Sequence, residues 1–255
     1  MIQLHSLSFG HTPTQPIFQD FNWQVARGDM WAILGSSGCG KTTLLYLLAG
    51  LLVPDRGKIE INGEELIRPR PRTGLILQDY GLLPWMTVTQ NAELGLRVRG
   101  FYGPDGKHTP MDFKTGNDVR HWLDRLGLNE VADKFPAQIS GGQRQRTAIA
   151  RTLALLPDLL LMDEPFSSLD AVTREDLQNL TLSLCKEQYL TSIIVTHSIE
   201  EAAVLGQRIL LLGDPPNRSA RIFENPMTGE PGYRGTRAYH DLCDLLWKEM
   251  QREAA

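Results

Sequence analysis

The 255-residue sequence predicts an α/β fold whose core is a mainly parallel sheet. Several short apolar segments have no polar alternation, and segments with helical periodicity separate them. This order is typical of a parallel sheet that is covered on both faces. A glycine-rich loop also joins the first of these apolar strands to a helix. The predicted strands are 30–34, 73–77, 159–162, 192–195 and 209–212, and the main helices are 43–49, 141–156, 172–188 and 199–205.

The N-terminal part has a different pattern. Residues 1–25 read as short strands around a turn at 11–16, and apolar and polar residues alternate along 57–63. Alternation of this kind is typical of strands with one buried face. We therefore expect an antiparallel β subdomain at the N-terminus.

The region from about 80 to 156 is helical in pattern and predicts an α-helical subdomain inserted between two strands of the core. Its clearest helices are 85–96 and 119–126. Residues 100–116 are rich in Gly, Pro and charge and lack an apolar period, so they predict a surface loop.

These patterns predict one domain over residues 1–225, with the helical subdomain inserted at about 80–156. A short tail, 226–255, follows and contains one helix. Residues 239–250 of that helix carry an apolar stripe. We expect the stripe to dock on the chain's own domain rather than on a partner.

Composition excludes several classes of protein. The content of hydrophobic residues is 42%, which supports a large core and argues against disorder. Acidic residues outnumber basic ones by 30 to 26, which does not favour nucleic acid as a partner. Three widely spaced cysteines suggest a reducing compartment, with no disulfide framework and no zinc site. The start of the chain lacks a signal-peptide pattern, and no apolar run approaches the ~20 residues of a membrane span, so we expect a soluble protein.

The loop after the first core strand fits the pattern G-x-x-x-x-G-K-[ST]. Backbone N–H groups of such a loop surround a phosphate chain, and the following helix N-terminus adds partial positive charge. Lys41 is placed to contact the β- and γ-phosphates, and the Thr42 hydroxyl to bind Mg²⁺. The alternative is a glycine-rich turn that precedes a helix by chance. The residues predicted to bind the nucleotide here are Gly35, Ser36, Gly38, Cys39, Gly40, Lys41, Thr42 and Thr43.

A second nucleotide element ends the strand at 159–162. Four apolar residues precede Asp163 and Glu164, so a buried strand delivers two carboxylates at its C-terminal end, where ligands lie in open α/β sheets. Asp163 is predicted to hold Mg²⁺. Glu164 is one residue further on, and a strand sends it the other way, toward an attacking water that it activates or orients. The alternative is a strand that ends in solvated acids.

The segment 139–146, Ile-Ser-Gly-Gly-Gln-Arg-Gln-Arg, resembles the LSGGQ signature of ABC-type ATPases. It lies between the two nucleotide elements, and Ser-Ser-Leu-Asp at 167–170 and Thr-His at 196–197 follow them. The resemblance covers residues 1 to about 215. It departs from the family at Ile139, where Leu is usual.

The resemblance implies an ATP-hydrolysing enzyme whose sites form between two copies. Ser140, Gly141, Gly142 and Gln143 would contact the γ-phosphate bound at Lys41 of the opposite copy. Two ATP molecules would thus be enclosed in a head-to-tail dimer, formed either by two identical chains or with a similar ATPase. The implied cofactors are ATP and Mg²⁺.

The resemblance assigns three further residues at the same site. Asp170 resembles the residue that communicates across the dimer interface. His197 resembles the switch histidine that contacts the γ-phosphate. Gln78 resembles the residue that touches Mg²⁺ or the attacking water and begins the helical subdomain.

Two further residues are predicted at the nucleotide site. Phe9 lies where the family tends to place a tyrosine that stacks on adenine, although apolar strand residues are more often core. Cys39 lies inside the phosphate loop, and a helix N-terminus can lower a thiol pKa. We therefore expect alkylation of Cys39 to inactivate the enzyme and ATP to protect it.

The stretch 77–91, with Leu-Leu-Pro-Trp-Met-Thr-Val, resembles the nitrate/sulfonate/taurine importer subfamily. This implies a motor subunit on the cytoplasmic face of the cell membrane, partnered by integral permease subunits and indirectly by a periplasmic solute-binding protein. Two alternatives remain open at this point. One is the ATPase of an exporter or lipoprotein-release system, and the other is a soluble ABC ATPase without a transport role.

Overall fold

The computed structural model describes residues 1–12, 14–114 and 119–253. The chain divides into two compact units, Met1–Pro69 with Thr181–Ala255 and Arg70–Leu180. The first unit contains β1 (Ile2–Thr12), β2 (Gln15–Val25), β3 (Met30–Leu34), α1 (Lys41–Leu48), β4 (Arg56–Ile61), β5 (Glu64–Glu65), β8 (Thr191–Thr196), α6 (Ile199–Leu205), β9 (Arg208–Leu211), β10 (Arg221–Glu224) and α7 (Arg237–Glu253). The second contains β6 (Thr73–Ile76), α2 (Val88–Tyr102), α3 (Val119–Arg125), α4 (Gly141–Leu153) and β7 (Leu159–Asp163), and the boundary falls within α5 (Ala171–Glu187).

The N-terminal strands form the antiparallel subdomain that the alternating pattern predicts. Its strand order is β2-β1-β4-β5. Strand β1 pairs with both β2 and β4, so Ile2 lies opposite Val25 on one side and Ile61 on the other. All three side chains are buried, and their apolar face stabilises the sheet.

The core sheet of the first unit is built around β3. This strand pairs in parallel with β8 and with β9, and β10 pairs with β9 in antiparallel orientation. Every residue of β3 and β8 is buried, as expected for central strands of a sheet covered on both faces. Strands β5 and β10 were not predicted from the sequence, because both are short and mostly exposed.

The tail helix α7 docks on its own unit, as predicted. Leu246 is fully buried in a cluster that includes Ala202, Ile209 and Leu211. Leu242 and Met250 extend this contact along the same stripe of the helix. The apolar stripe of the tail therefore belongs to the core of the first unit.

In the second unit, β6 and β7 pair in parallel, so that Ile76 lies opposite Met162. The loops that follow these two strands therefore leave the same edge. Helices α2 and α3 pack against α4.

The predicted boundaries of α2 are wrong at both ends. The helix begins after Thr87, because a capping box with Gln90 satisfies its first backbone donors. It continues past Gly100 to Tyr102, where Gly103 adopts a positive φ of 67° and ends it. Residues 115 and 116 of the predicted loop lie outside the described residues.

The structure has the predicted α/β class, with an antiparallel N-terminal sheet, a mainly parallel core and a helical region. The division into a domain over 1–225 and a separate tail stays a prediction. None of the described helices is long and apolar enough to cross a membrane.

Candidate functional site

The phosphate loop lies in the first unit, between β3 and α1. The ammonium of Lys41 is buried and donates hydrogen bonds to the carbonyls of Gly35 (2.9 Å) and Ser36 (2.7 Å). Gly40 has a φ of +106°, and a Cβ there would lie 2.4 Å from Ile17 Cγ2. Only glycine combines a positive φ with the close approach to Ile17. The loop therefore reaches the start of α1, where backbone N–H groups lack partners within the helix.

Cys39 does not have the lowered pKa that we predicted. Its side chain is 1% exposed, and burial raises the pKa of the thiol despite the nearby Lys41 ammonium. A buried thiol loses the solvation that stabilises the thiolate, and this effect exceeds the attraction of the lysine charge. The helix N-terminus therefore does not make Cys39 reactive.

This reverses the expected result of alkylation. At neutral pH the Cys39 thiol is protonated and enclosed, so we expect iodoacetamide to leave it unmodified in the native chain, with or without ATP. The rate should rise only at high pH, where the thiolate forms. Peptide mass spectrometry of the labelled chain measures this, with denatured protein as the control. Rapid labelling at pH 7 that ATP suppresses would contradict the structure.

Asn217 supports the phosphate loop and was not predicted from the sequence. Its buried side-chain amide donates to the Cys39 carbonyl (2.9 Å), and its oxygen accepts from the Gly213 N–H (3.0 Å). Its backbone pairs with β2 at Ile17 and Gln19. A single asparagine in a proline-containing turn gives no local signal of a contact 178 residues away.

Phe9 is only 8% exposed and packs within the antiparallel subdomain. The edge of its ring meets His11, with ring centroids 5.4 Å apart. His11 is exposed, and its Nε2 lies 3.4 Å from the Thr43 hydroxyl oxygen on α1. The adenine-stacking role of Phe9 stays a prediction, and His11 is a more accessible ring beside the phosphate loop.

His197 follows β8 at the same sheet edge as the phosphate loop. Leu34, the last residue of β3, pairs with Thr196. The Thr196 hydroxyl donates to Glu201 (2.7 Å) and accepts from the Ser198 N–H (3.0 Å). These bonds fix the turn on which the exposed His197 stands.

Gln78, Asp163 and Glu164 lie together in the second unit, after β6 and β7. Asp163 ends β7 and is buried. Glu164 leaves the strand with a φ of +44°, so strand alternation does not set its direction and that part of the prediction is wrong. Its Oε2 lies 3.5 Å from the Gln78 amide nitrogen, at the outer limit of a hydrogen bond.

The signature segment forms the start of α4. Ser140 is exposed and caps the helix: its hydroxyl accepts from the Gln143 N–H (3.2 Å), and the Gln143 side chain accepts from the Ser140 N–H (2.9 Å). A Cβ at Gly142 would lie 2.6 Å from Thr173 Cγ2, so this glycine allows α4 to pack closely on α5. The helix N-terminus thus faces solvent in a fixed orientation.

Asp170 caps the next helix. Its carboxylate accepts from the Thr173 N–H at the start of α5 (3.0 Å), and hydrogen bonds from Thr173 hold the pKa of the carboxyl below its usual value.

Of the predicted site residues, Phe9, the phosphate loop and His197 lie in the first unit. Gln78, Ser140–Gln143, Asp163, Glu164 and Asp170 lie in the second.

Comparison with known proteins is consistent with these elements. Residues 18–167 match the family described as ABC transporter. The chain belongs to the ABC transporter family. A curated relative from Pelagibacter ubique strain HTCC1062, named a taurine import ATP-binding protein, is 41% identical over 92% of this chain and 89% of its own length. One from Bacillus cereus strain ATCC 10987, named an aliphatic sulfonates import ATP-binding protein, is 37% identical over 94% of this chain and 91% of its own.

Solved structures of ABC proteins share the fold. A dimeric ATP-binding cassette described as bound to ADP and phosphate after hydrolysis has a TM-score of 0.72 and 28% identity, covering 88% of this chain and 98% of its own. The CbiO1 subunit from Clostridium perfringens has a TM-score of 0.73 and 25% identity, covering 89% of this chain and 88% of its own. The predicted family, fold class and function as the ATPase subunit of an ABC transporter are confirmed, and the chain is an ATP-binding enzyme.

Proposed function

We propose that this chain is the ATP-hydrolysing subunit of an importer for a small sulfonate or a solute of similar chemistry. Two relatives that span most of the chain carry import names for taurine and aliphatic sulfonates. The observation that carries the ATPase role is the pair Gln78 and Glu164, which meet where two parallel strands end. The segment 77–91 further favours this importer subfamily.

The phosphate loop is proposed to bind the ATP phosphates. Its backbone N–H groups and the Lys41 ammonium supply the positive charge, and Lys41 would exchange its carbonyl partners at Gly35 and Ser36 for phosphate oxygens.

A magnesium ion is proposed to bind together with the ATP. Thr42, Asp163 and Gln78 offer a hydroxyl, a carboxylate and an amide oxygen, which are ligand types that Mg²⁺ accepts. Among the described residues no cluster of three or more His, Cys, Asp or Glu forms a metal site of its own. Mg²⁺ typically binds one or two carboxylates together with substrate phosphates. When bound, it would neutralise charge on the phosphate oxygens.

Glu164 is proposed to orient the attacking water and to accept its proton. The Gln78 amide would hold the carboxylate or the same water, and His197 would hydrogen-bond to the γ-phosphate. Asp163 and Glu164 are adjacent but have different surroundings, since Asp163 is buried and Glu164 is half-buried after the strand.

We further propose that two copies, or one copy and a similar ATPase, enclose two ATP molecules. The exposed N-terminus of α4 at Ser140 would then face the nucleotide of the other copy. ATP drives closure only insofar as it binds the closed dimer more tightly than the open one. Permease subunits would seat near residues 78–100 on the cytoplasmic side of the membrane, and a periplasmic binding protein would deliver the solute.

Uptake measurements test the importer role and the class of solute. Deletion of the gene should abolish uptake of labelled taurine or an alkanesulfonate, and the wild-type chain should restore it. The Glu164→Gln chain should be present at the same level without restoring uptake. Unchanged sulfonate uptake in the deletion strain would refute the solute assignment, and a parallel assay with nitrate would test the alternative solute within this subfamily.

A further inference from the structure

Tyr80 joins three functional segments of the second unit. It lies two residues after Gln78, and its hydroxyl shares a 2.6 Å hydrogen bond with the hydroxyl of Ser168, two residues before Asp170. The guanidinium of Arg144, which lies on the signature helix α4, is placed over the Tyr80 ring, with its Cζ 6.0 Å from the ring centroid. The Tyr80 side chain is 7% exposed, whereas its partner Ser168 is exposed, so the hydrogen bond lies at the edge of the packed region.

The backbone at Tyr80 is held in an unfavourable conformation. Its φ of +67° lies in the left-handed region, which a bulky side chain adopts only when its surroundings impose it. Arg151, also on α4, supplies that constraint by donating to the carbonyls of Tyr80 (2.8 Å) and Gly81 (2.5 Å). The turn after Gln78 is thus fixed to the signature helix through its backbone and its ring.

The segment around Ser168 is anchored on both sides. Arg174 donates to the carbonyls of Leu169 (2.7 Å) and Phe166 (3.3 Å) from α5, and Tyr80 holds Ser168 from the other side. The signature segment approaches the same point, because a Cβ at Gly141 would lie 3.2 Å from Leu169 Cδ2 and 3.8 Å from the Tyr80 hydroxyl.

We propose that Tyr80 is a positioning residue that sets the relative placement of Gln78, the signature segment and Asp170 for ATP hydrolysis. Its hydrogen bond to Ser168 transmits a shift of the Gln78 loop to the segment that carries Asp170. This inference rests on the proposed roles of those three groups. It assigns Tyr80 no contact with ATP, so its removal should affect turnover and the cooperativity between two sites rather than ATP binding.

The test compares Tyr80→Phe, Ser168→Ala and the double variant with the wild-type full chain in a steady-state ATPase assay. Each single change removes the same hydrogen bond. Tyr80→Phe keeps the aromatic ring and the backbone contacts of residue 80, and Ser168→Ala leaves Tyr80 unchanged. We expect each to lower kcat roughly two- to tenfold, the range for loss of one hydrogen bond, and to reduce the Hill coefficient for ATP. KM should change less than twofold, and the double variant should be no worse than either single variant.

Tyr233→Phe is the matched control. The Tyr233 hydroxyl also makes a buried 2.6 Å hydrogen bond, which it donates to the side-chain oxygen of Asn225, and neither residue is a predicted site residue. Tyr233→Phe should lower the melting temperature at least as much as Tyr80→Phe, because its hydrogen bond is the more buried one, but only Tyr80→Phe should change kcat.

Three outcomes would overturn the inference while wild-type hydrolysis remains intact. The first is an unchanged kcat in Tyr80→Phe. The second is a double variant whose kcat falls by the product of the two single losses, and the third is an equal loss of kcat in Tyr233→Phe. Absence of ATP hydrolysis in the wild type would instead refute the proposed function itself, so the two failures are distinguishable.

Discussion

Replacing Glu164 with glutamine should lower ATP turnover at least about 100-fold, because an amide of the same shape cannot accept a proton from the attacking water, and such proton transfer contributes about 10²–10⁴-fold. The backbone at Glu164 is held independently of the carboxylate, since its carbonyl accepts from the N–H (3.3 Å) and the hydroxyl (3.0 Å) of Ser167. The variant should therefore fold normally and still bind ATP. Steady-state hydrolysis measures the loss of turnover, and light scattering with saturating ATP measures the dimer that the variant should still form.

Glu130→Gln is the matched control for this change. Glu130 is exposed in the same unit, and its replacement removes one negative charge without touching a predicted site residue. It should keep wild-type turnover. A Glu164→Gln chain that retains more than about a tenth of wild-type turnover would contradict the role of general base, given the size of that effect in other enzymes.

The second large effect concerns Lys41 and Ser140, which should each be essential for a different reason. Lys41→Ala removes the ammonium that would meet the phosphates, and electrostatic contacts of this kind are worth about 10²-fold or more in turnover. Ser140→Arg places a long side chain at the exposed N-terminus of α4, where it would block approach to a nucleotide on the other copy. We expect each chain alone to be nearly inactive in a steady-state assay.

Two further variants separate these effects from loss of stability. Lys186→Ala also removes an ammonium that donates to a backbone carbonyl, that of Gly229 at 3.2 Å, but far along the sequence from the phosphate loop. Thr87→Ala removes the capping box of α2, as Ser140→Arg removes that of α4, at a cost of about 1 kcal/mol. Both controls should hydrolyse ATP. Equal inactivation by a control and its partner variant would show that stability, not chemistry, was lost.

Features of the site that depend on local sequence were predictable. The phosphate loop is located by a short apolar strand, a fixed spacing of glycines and the start of a helix. Ser140 and Gln143 form a capping box whose residue types and spacing can be read directly from the sequence. Asp163 could be placed at a strand end because four apolar residues precede it. Local patterns also predicted the order in which the core strands and helices follow one another along the chain.

Features that depend on distant contacts were not predictable. The pKa of Cys39 is raised by burial, which no local pattern reports. Asn217 reaches the phosphate loop across most of the chain. Glu164 leaves its strand through a left-handed turn, so strand alternation gave the wrong account of its direction. The junction at Tyr80 depends on Arg144, Arg151 and Ser168, which meet only in the folded unit.

The most direct test of the composite site mixes the two inactive chains, Lys41→Ala and Ser140→Arg. In a head-to-tail dimer of one chain of each kind, one site combines both changes, and the other combines an unchanged phosphate loop with an unchanged signature segment. ATP hydrolysis should therefore reappear on mixing, depend on the concentration of both chains, and be greatest near equal amounts. If the mixture stays as inactive as the separate chains while still forming dimers, the site does not combine residues of two copies, and the account is wrong.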